Sequence, residues 1–69
     1  MEYNVVLLDK DGYDTANDLV EGLPAAKKRA AYLLSDAFAR AVEASHDELA
    51  TAKVEIRNPA GVCVWDRFL

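Results

Sequence analysis

The sequence predicts a small α+β domain in which one long helix packs on one face of a three-stranded antiparallel or mixed sheet. Three observations support this: a helical repeat of small and apolar residues over 23–44, an apolar run at 3–8, and an alternating segment at 52–57 that leads into a turn. The elements read β-α-β-β. A right-handed crossover between the first two strands, with the apolar strand 62–68 in the centre, gives the strand order 1-3-2.

The first strand is predicted at Tyr3–Leu8, where β-branched and aromatic residues form an apolar run. It ends at residues 9–12 (Asp-Lys-Asp-Gly), a combination typical of a turn. In the following segment, 13–21, Asp14 can cap a short helical turn around residues 16–20. A second short strand is the alternative for this segment.

The long helix is predicted to begin at Pro24, because the fixed φ of proline suits the first helical position. The buried stripe recurs with helical spacing at Ala26, Ala30, Leu33, Leu34, Ala37, Phe38 and Ala41. Roughly twenty residues at 1.5 Å each extend about 30 Å, whereas a seven-residue strand extends about 23 Å. One end of the helix should therefore overhang the sheet. Ser45 and Glu48 have the spacing of a capping box, which predicts a kink or a further turn there.

The last two strands are predicted to form a hairpin. Residues 52–57 alternate between apolar and charged, so that Val54 and Ile56 point toward the helix. Residues 58–61 (Asn-Pro-Ala-Gly) fit a type I turn in which Gly61 adopts positive φ.

This hairpin register determines the position of Trp65. If Arg57 lies opposite Cys63, then Glu55 lies opposite Trp65. The tryptophan is in that case on the sheet face away from the helix. The predicted residues of that bare face are Lys53, Glu55, Arg57, Cys63, Trp65 and Arg67. A turn that is one residue shorter would exchange the faces of the last strand.

Trp65 is then the centre of a candidate contact surface, with Arg57, Arg67 and Lys53 beside it. Tryptophan and arginine are the residues most enriched at binding hot spots, and they attract each other through cation–π contacts. The other interpretation is a different register in which Trp65 belongs to the core. Tyr32, on the back of the helix, is a second candidate contact residue.

Size and composition indicate one folded domain, residues 1–69. The 52% hydrophobic and 29% charged residues are those of a folded protein, not a disordered one. A single cysteine, Cys63, excludes an internal disulfide, and the sequence shows neither a signal peptide nor a membrane span. We therefore expect a cytoplasmic protein. The single histidine, His46, has no nucleophile or second ligand nearby in sequence, so neither a catalytic nor a metal site is predicted.

The net charge of −4 is unevenly distributed. Residues 1–26 hold six acidic side chains against one lysine, whereas residues 27–69 hold seven basic and six acidic ones. This balance argues against direct nucleic-acid binding, since phosphate contacts dominate such affinity. If Asp11, Asp14 and Asp18 are functional, their negative charge would steer a basic protein partner, including one that itself holds nucleic acid.

Residues 5–12 resemble the first motif of the haloacid dehalogenase-type phosphatases, an apolar strand followed by Asp-x-Asp-Gly. That resemblance implies Asp9 as the nucleophile and Asp11 as the acid/base. Tyr13 stands where the family has Thr or Val, and the chain is too short for the later motifs. We therefore predict that the protein is not an enzyme, and we keep a small hydrolase using Asp9 and Asp11 as an alternative.

Taken together, Leu23–Ala26, Ala30 and the hairpin at 54–61 resemble the small uncharacterised β-α-β-β proteins of bacterial and phage genomes. In size and acidity the chain is also similar to phage-encoded inhibitors such as anti-CRISPR proteins. The leading hypothesis is a non-enzymatic protein-binding module, an inhibitor of host nucleic-acid-handling machinery. A homodimer through the bare sheet face is compatible with it. Nucleic-acid binding through Trp65, Arg57 and Arg67 is the third hypothesis.

Overall fold

A computed structural model describes residues 1–44 and 53–68 of the chain. Within these residues the protein has one helix and a four-stranded antiparallel sheet of order β2-β1-β3-β4. The elements in chain order are β1 (Glu2–Leu8), β2 (Asp14–Glu21), α1 (Leu23–Ala44), β3 (Lys53–Arg57) and β4 (Cys63–Phe68).

The prediction of a three-stranded sheet of order 1-3-2 is wrong, although the long helix and its three predicted strands are confirmed. Residues 14–21 form a strand rather than a helical turn, and β1 pairs with both β2 and β3. The physical reason lies in β1, whose Val5, Val6, Leu7 and Leu8 are all buried. A strand that is apolar on both faces is stabilised by a neighbouring strand at each edge and by side chains that cover each face. It therefore takes the central position that we had given to β4.

The turn between β1 and β2 is organised by Asp9. Its Oδ1 accepts hydrogen bonds from the backbone N–H groups of Asp11 and Tyr13, each at 2.9 Å. Gly12 has a φ of 85°, a conformation that costs glycine little. The carboxylate thus closes a turn that reverses the chain into β2.

The helix lies on β1, β2 and β3, and among the described residues the side chains that it buries completely are those of two alanines. Ala26 and Ala30 are fully buried against a core that also contains Val5, Val54 and Ile56. The 22 residues of α1 extend about 33 Å, longer than the strands beneath. Phe38 and Val42 are accordingly about 60% exposed, so the prediction that Phe38 belongs to the buried stripe is wrong. The predicted extra turn at 45–48 lies outside the described residues.

The hairpin between β3 and β4 contains the predicted turn and an unpredicted bulge. Asn58 donates its N–H to the carbonyl of Val62 at 2.9 Å, and Arg57 opposes Cys63 as predicted. The register then shifts by one residue, so that Ile56 opposes Trp65 rather than Val64. A bulge of this kind exchanges the faces of every residue that follows it in the strand.

Trp65 therefore lies on the helix side of the sheet, half-buried against the core. Arg67 shares this side, whereas Arg57 and Lys53 lie on the other face. The prediction that these four side chains form one surface is wrong.

Candidate protein-interaction surface

An open groove separates the helix from the last strand. Helix α1 lies over β1, β2 and β3, whereas among the described residues its backbone does not come close to that of β4. The resulting space has a volume of about 400 Å³ and is lined by Lys27, Ala31, Leu34, Trp65 and Arg67. We call it the Trp65 groove.

The floor of the Trp65 groove is an aromatic side chain beside a cation. Trp65 and Arg67 are two residues apart on β4 and therefore lie on the same face. The guanidinium carbon of Arg67 is 5.4 Å from the centroid of the tryptophan ring, which is a cation–π distance. Because Trp65 packs half-buried against the core, part of its conformational freedom is already lost before any partner binds.

The helical wall of the groove continues as an exposed apolar flank. Ala31, Leu34, Phe38 and Val42 follow one another at spacings of three, four and four residues, which at about 100° per residue places them within roughly 80° of arc. Phe38 is 60% and Val42 63% exposed. An exposed apolar flank beside a groove is typical of a contact surface for another macromolecule.

The polar positions of the groove are cationic. In the described part of the chain no carboxylate lies within 4.0 Å of the charged nitrogens of Lys27 or Arg67. These two positive charges stand out on a chain whose net charge is −4. A ligand that supplies carboxylates next to apolar side chains would complement them.

The opposite face of the sheet holds a network of ion pairs instead of a free surface. The ammonium nitrogen of Lys53 is 2.8 Å from Glu55 and 3.6 Å from Asp66. Arg57 donates from Nε to Glu55 at 3.0 Å, and its other nitrogens approach Asp14 at 3.3 and 3.4 Å. Two of the three cations that we predicted as contact residues, Lys53 and Arg57, are therefore paired within the molecule.

Glu55 is the centre of this network. The hydrogen bond from Lys53 lowers the pKa of the Glu55 carboxyl, and the hydrogen bond from Arg57 acts in the same direction. The same contacts raise the pKa of Lys53 and that of Arg57. Beneath these side chains lie Val6 and Leu8, both buried on a sheet face that the helix does not cover. The aliphatic stems of Lys53 and Arg57 can provide that cover, since long charged side chains shield apolar surface.

Three potential metal ligands also meet on this face. One donor atom from each of Glu55, Cys63 and Asp66 lies within 4.8 Å of the others. The Lys53 ammonium group, however, already contacts both carboxylates. The thiol of Cys63 donates to the carbonyl of Trp65 at 3.4 Å. Within the described residues these contacts account for the cluster as an ion-pair site.

The acidic residues of the N-terminal half do not form one negative surface. Asp11 lies in the β1–β2 turn, where its backbone N–H bonds to Asp9. Asp14 contacts Arg57 on the bare face of the sheet. Asp18 pairs with Arg29 of α1 at 2.6 Å on the helix face. The structure therefore places the three predicted residues in three separate environments.

Tyr32 lines a second depression, on the other flank of the helix next to β2. Its volume is about 440 Å³, slightly larger than that of the Trp65 groove. The ring of Tyr32 is 62% exposed and stacks on Arg29 at 5.3 Å. Since Arg29 is already paired with Asp18, this depression offers a ligand less unsatisfied charge, and we regard the Trp65 groove as the better candidate.

Lys27, Ala31 and Leu34 are functional candidates that sequence reasoning missed. The sequence does contain a signal for them, because Phe38 and Val42 extend the apolar surface of the helix to one side of the stripe of buried alanines. A stripe wider than the sheet can cover implies that one flank of the helix stays open.

Comparisons of the chain with protein-family models, curated proteins and solved structures found no match. Among the described residues, no helix is both long enough and apolar enough to cross a membrane. Fold and site together define a small ββαββ domain with an apolar, cationic groove at one edge of its sheet.

Replacing Asp9 by alanine is expected to destabilise the β1–β2 turn. The change removes the acceptor for the N–H groups of Asp11 and Tyr13, and we expect a loss of about 1 kcal/mol in the free energy of unfolding. Asp9→Asn keeps a side-chain oxygen and should lose less. Urea titrations followed by circular dichroism measure both values. Equal stability of Asp9→Ala and the wild type would show that the turn does not depend on this carboxylate.

Proposed function

We propose that the protein is a non-enzymatic protein-binding module and that the Trp65 groove, with the exposed helix flank beside it, is its contact surface. The observation that carries the proposal is the half-buried Trp65 stacked on Arg67 in a groove open to solvent. Aromatic and arginine side chains held in place beside a pocket are the typical centre of an interface.

The groove favours a particular partner chemistry. Trp65, Leu34 and Ala31 offer apolar surface, and Lys27 and Arg67 offer positive charge at its margins. A partner segment with one apolar face flanked by carboxylates satisfies both requirements. Phe38 and Val42 extend the apolar contact along the helix.

The inhibitor hypothesis is one form of this proposal. An inhibitor that binds a basic partner through its acidic residues needs Asp11, Asp14 and Asp18 to act together. Their separate environments argue against this mode of binding. An inhibitor of host nucleic-acid-handling machinery would then have to bind an acidic, apolar patch of its target through the groove. Identification of the captured partner tests this form directly.

One variant in the groove, one on the exposed helix flank beside it and one matched control test the proposal. Tagged wild type, Trp65→Ala, Phe38→Glu and the control Tyr32→Ala are used for capture from lysate, with and without nuclease, and read by mass spectrometry. Phe38 and Tyr32 are similarly exposed aromatics on opposite flanks of α1. We expect the wild type and Tyr32→Ala to retain the same protein. The other two variants should capture it with at least tenfold lower affinity, the effect of about 1.4 kcal/mol.

Retention of that protein by all four chains would refute the groove as the contact surface. Loss of capture after nuclease treatment would instead favour the nucleic-acid hypothesis. For that hypothesis the geometry is unfavourable, because Arg57 and Arg67 lie on opposite faces of the sheet.

The hydrolase hypothesis has a separate test. Its proposed nucleophile, Asp9, already accepts two backbone hydrogen bonds within the turn. Phosphatase activity in the wild type that disappears when Asp9 and Asp11 are both replaced by asparagine would overturn the non-enzymatic proposal.

A further inference from the structure

In the part of the chain that the structure describes, the sheet ends in two edge strands, β2 and β4, which differ in how they are protected. An edge strand presents unpaired N–H and C=O groups that can pair with another chain unless charge or shape prevents it. Strand β2 carries three charged side chains, those of Asp14, Asp18 and Glu21, and charged side chains on an edge strand disfavour pairing with another chain.

Strand β4 lacks that protection. Its two charges, those of Asp66 and Arg67, cancel. Around them Val62, Val64 and Phe68 are 57%, 44% and 70% exposed. An exposed, apolar strand with no net charge is the edge most suited to pairing.

We propose that β4 pairs antiparallel with β4 of a second copy of the chain, which joins the two sheets into one. A second copy fits because the pairing of identical neutral strands brings no net charge together, whereas a contact of β4 with β2 is head-to-tail and does not close. A two-fold contact of identical edges closes on itself and forms a dimer.

Symmetry fixes much of the geometry. Directly opposed residues of an antiparallel pair lie on the same face, so the two-fold axis is perpendicular to the sheet and passes midway between the two copies of one residue of β4. With the axis at Asp66, Trp65 opposes Arg67 of the second copy; with the axis at Trp65, the two tryptophans oppose each other. The first register extends the Trp65–Arg67 contact across the seam.

The same axis places both helices on one face. Each helix lies over β1, β2 and β3, so the two axes are separated by at least four strand spacings, roughly 20 Å. This is more than the 8–10 Å of packed helices. The two Trp65 grooves then face each other over a floor made by both β4 strands. The dimer itself rests on the edge and stands whether or not the groove binds a partner.

Oligomeric state in solution is the first test. The edge buries less area than a standard interface, so we expect a reversible dimer whose fraction rises with concentration in analytical ultracentrifugation. Lysine is a natural blocker of edge pairing, and the double variant Val64→Lys/Phe68→Lys should stay monomeric. The matched control Leu19→Lys, at a 59% exposed position of β2, should dimerise like the wild type. Circular dichroism checks that every variant is folded.

The chain's only cysteine supplies the second measurement, since Cys63 is exposed at the start of β4. Spin labels there should give a distance of about 14 to 21 Å in the dimer, because the two residues are four to six strand positions apart across one strand spacing. Pairing through β2 would give roughly 30 Å or more. A wild type that is monomeric at all concentrations, the longer distance, or equal dimerisation of the lysine double variant would each overturn the proposal. The partner-capture experiment is unaffected by any of them.

Discussion

Replacing Ile56 by alanine is expected to lower the free energy of unfolding by about 2–5 kcal/mol, the usual cost of a cavity left by a large core side chain. Ile56 is fully buried in β3, a strand with neighbours on both sides, and belongs to the same core as Val5 and Ala30. A domain of this size has a small free energy of unfolding, at the low end of the roughly 5–15 kcal/mol typical of proteins. We therefore expect Ile56→Ala to be unfolded or close to it at ambient temperature.

A graded series makes this prediction sharp. Ile56→Val should cost only about 0.5–1.5 kcal/mol, and Val64→Ala, at a position 44% exposed, should stay within about 0.5 kcal/mol of the wild type. Urea titrations monitored by circular dichroism measure all three variants. Similar losses for Ile56→Ala and Val64→Ala would contradict the placement of the core between α1 and the middle strands.

The helix was predictable because its signal is local. Twenty-two residues with a repeat of small and apolar side chains define α1 wherever the sheet lies. Strand β2 was harder, since three acids and an asparagine within Asp14–Glu21 favour neither helix nor sheet. Its strand conformation comes from a non-local cause, the free edge of the apolar strand β1. The unbroken apolar run at 5–8 was the available signal, because a strand buried on both faces requires a neighbour at each edge.

The candidate site was missed for a different reason. The turn at 58–61 and the pairing of Arg57 with Cys63 follow from local chemistry and were predicted. One bulged residue, Val64, then reverses the direction of Trp65. Turn residues do not reveal such a bulge, and it alone decides whether Trp65 lies with Arg57 or in the groove beneath the helix.

Glu55→Gln is expected to lower the free energy of unfolding at neutral pH by roughly 1–3 kcal/mol, the cost of losing hydrogen bonds between charged groups. The substitution keeps the size of a side chain that is only 15% exposed. It removes the charge shared by Lys53 and Arg57, at 2.8 and 3.0 Å. Asp66 and Asp14 remain as their partners, so the network weakens without collapsing.

The pH dependence of this loss identifies its cause. The hydrogen bond from Lys53 holds the pKa of Glu55 below its ordinary value in the folded protein. The stabilisation by the carboxylate is therefore complete above the unfolded-state pKa of about 4.3, and it disappears as the pH falls through the lower folded-state pKa. The difference between wild type and Glu55→Gln should close over that acid range, whereas the exposed control Glu43→Gln should match the wild type at neutral pH within about 0.5 kcal/mol. A difference that persists in acid would contradict this cause, because the loss would then not depend on the charge of Glu55.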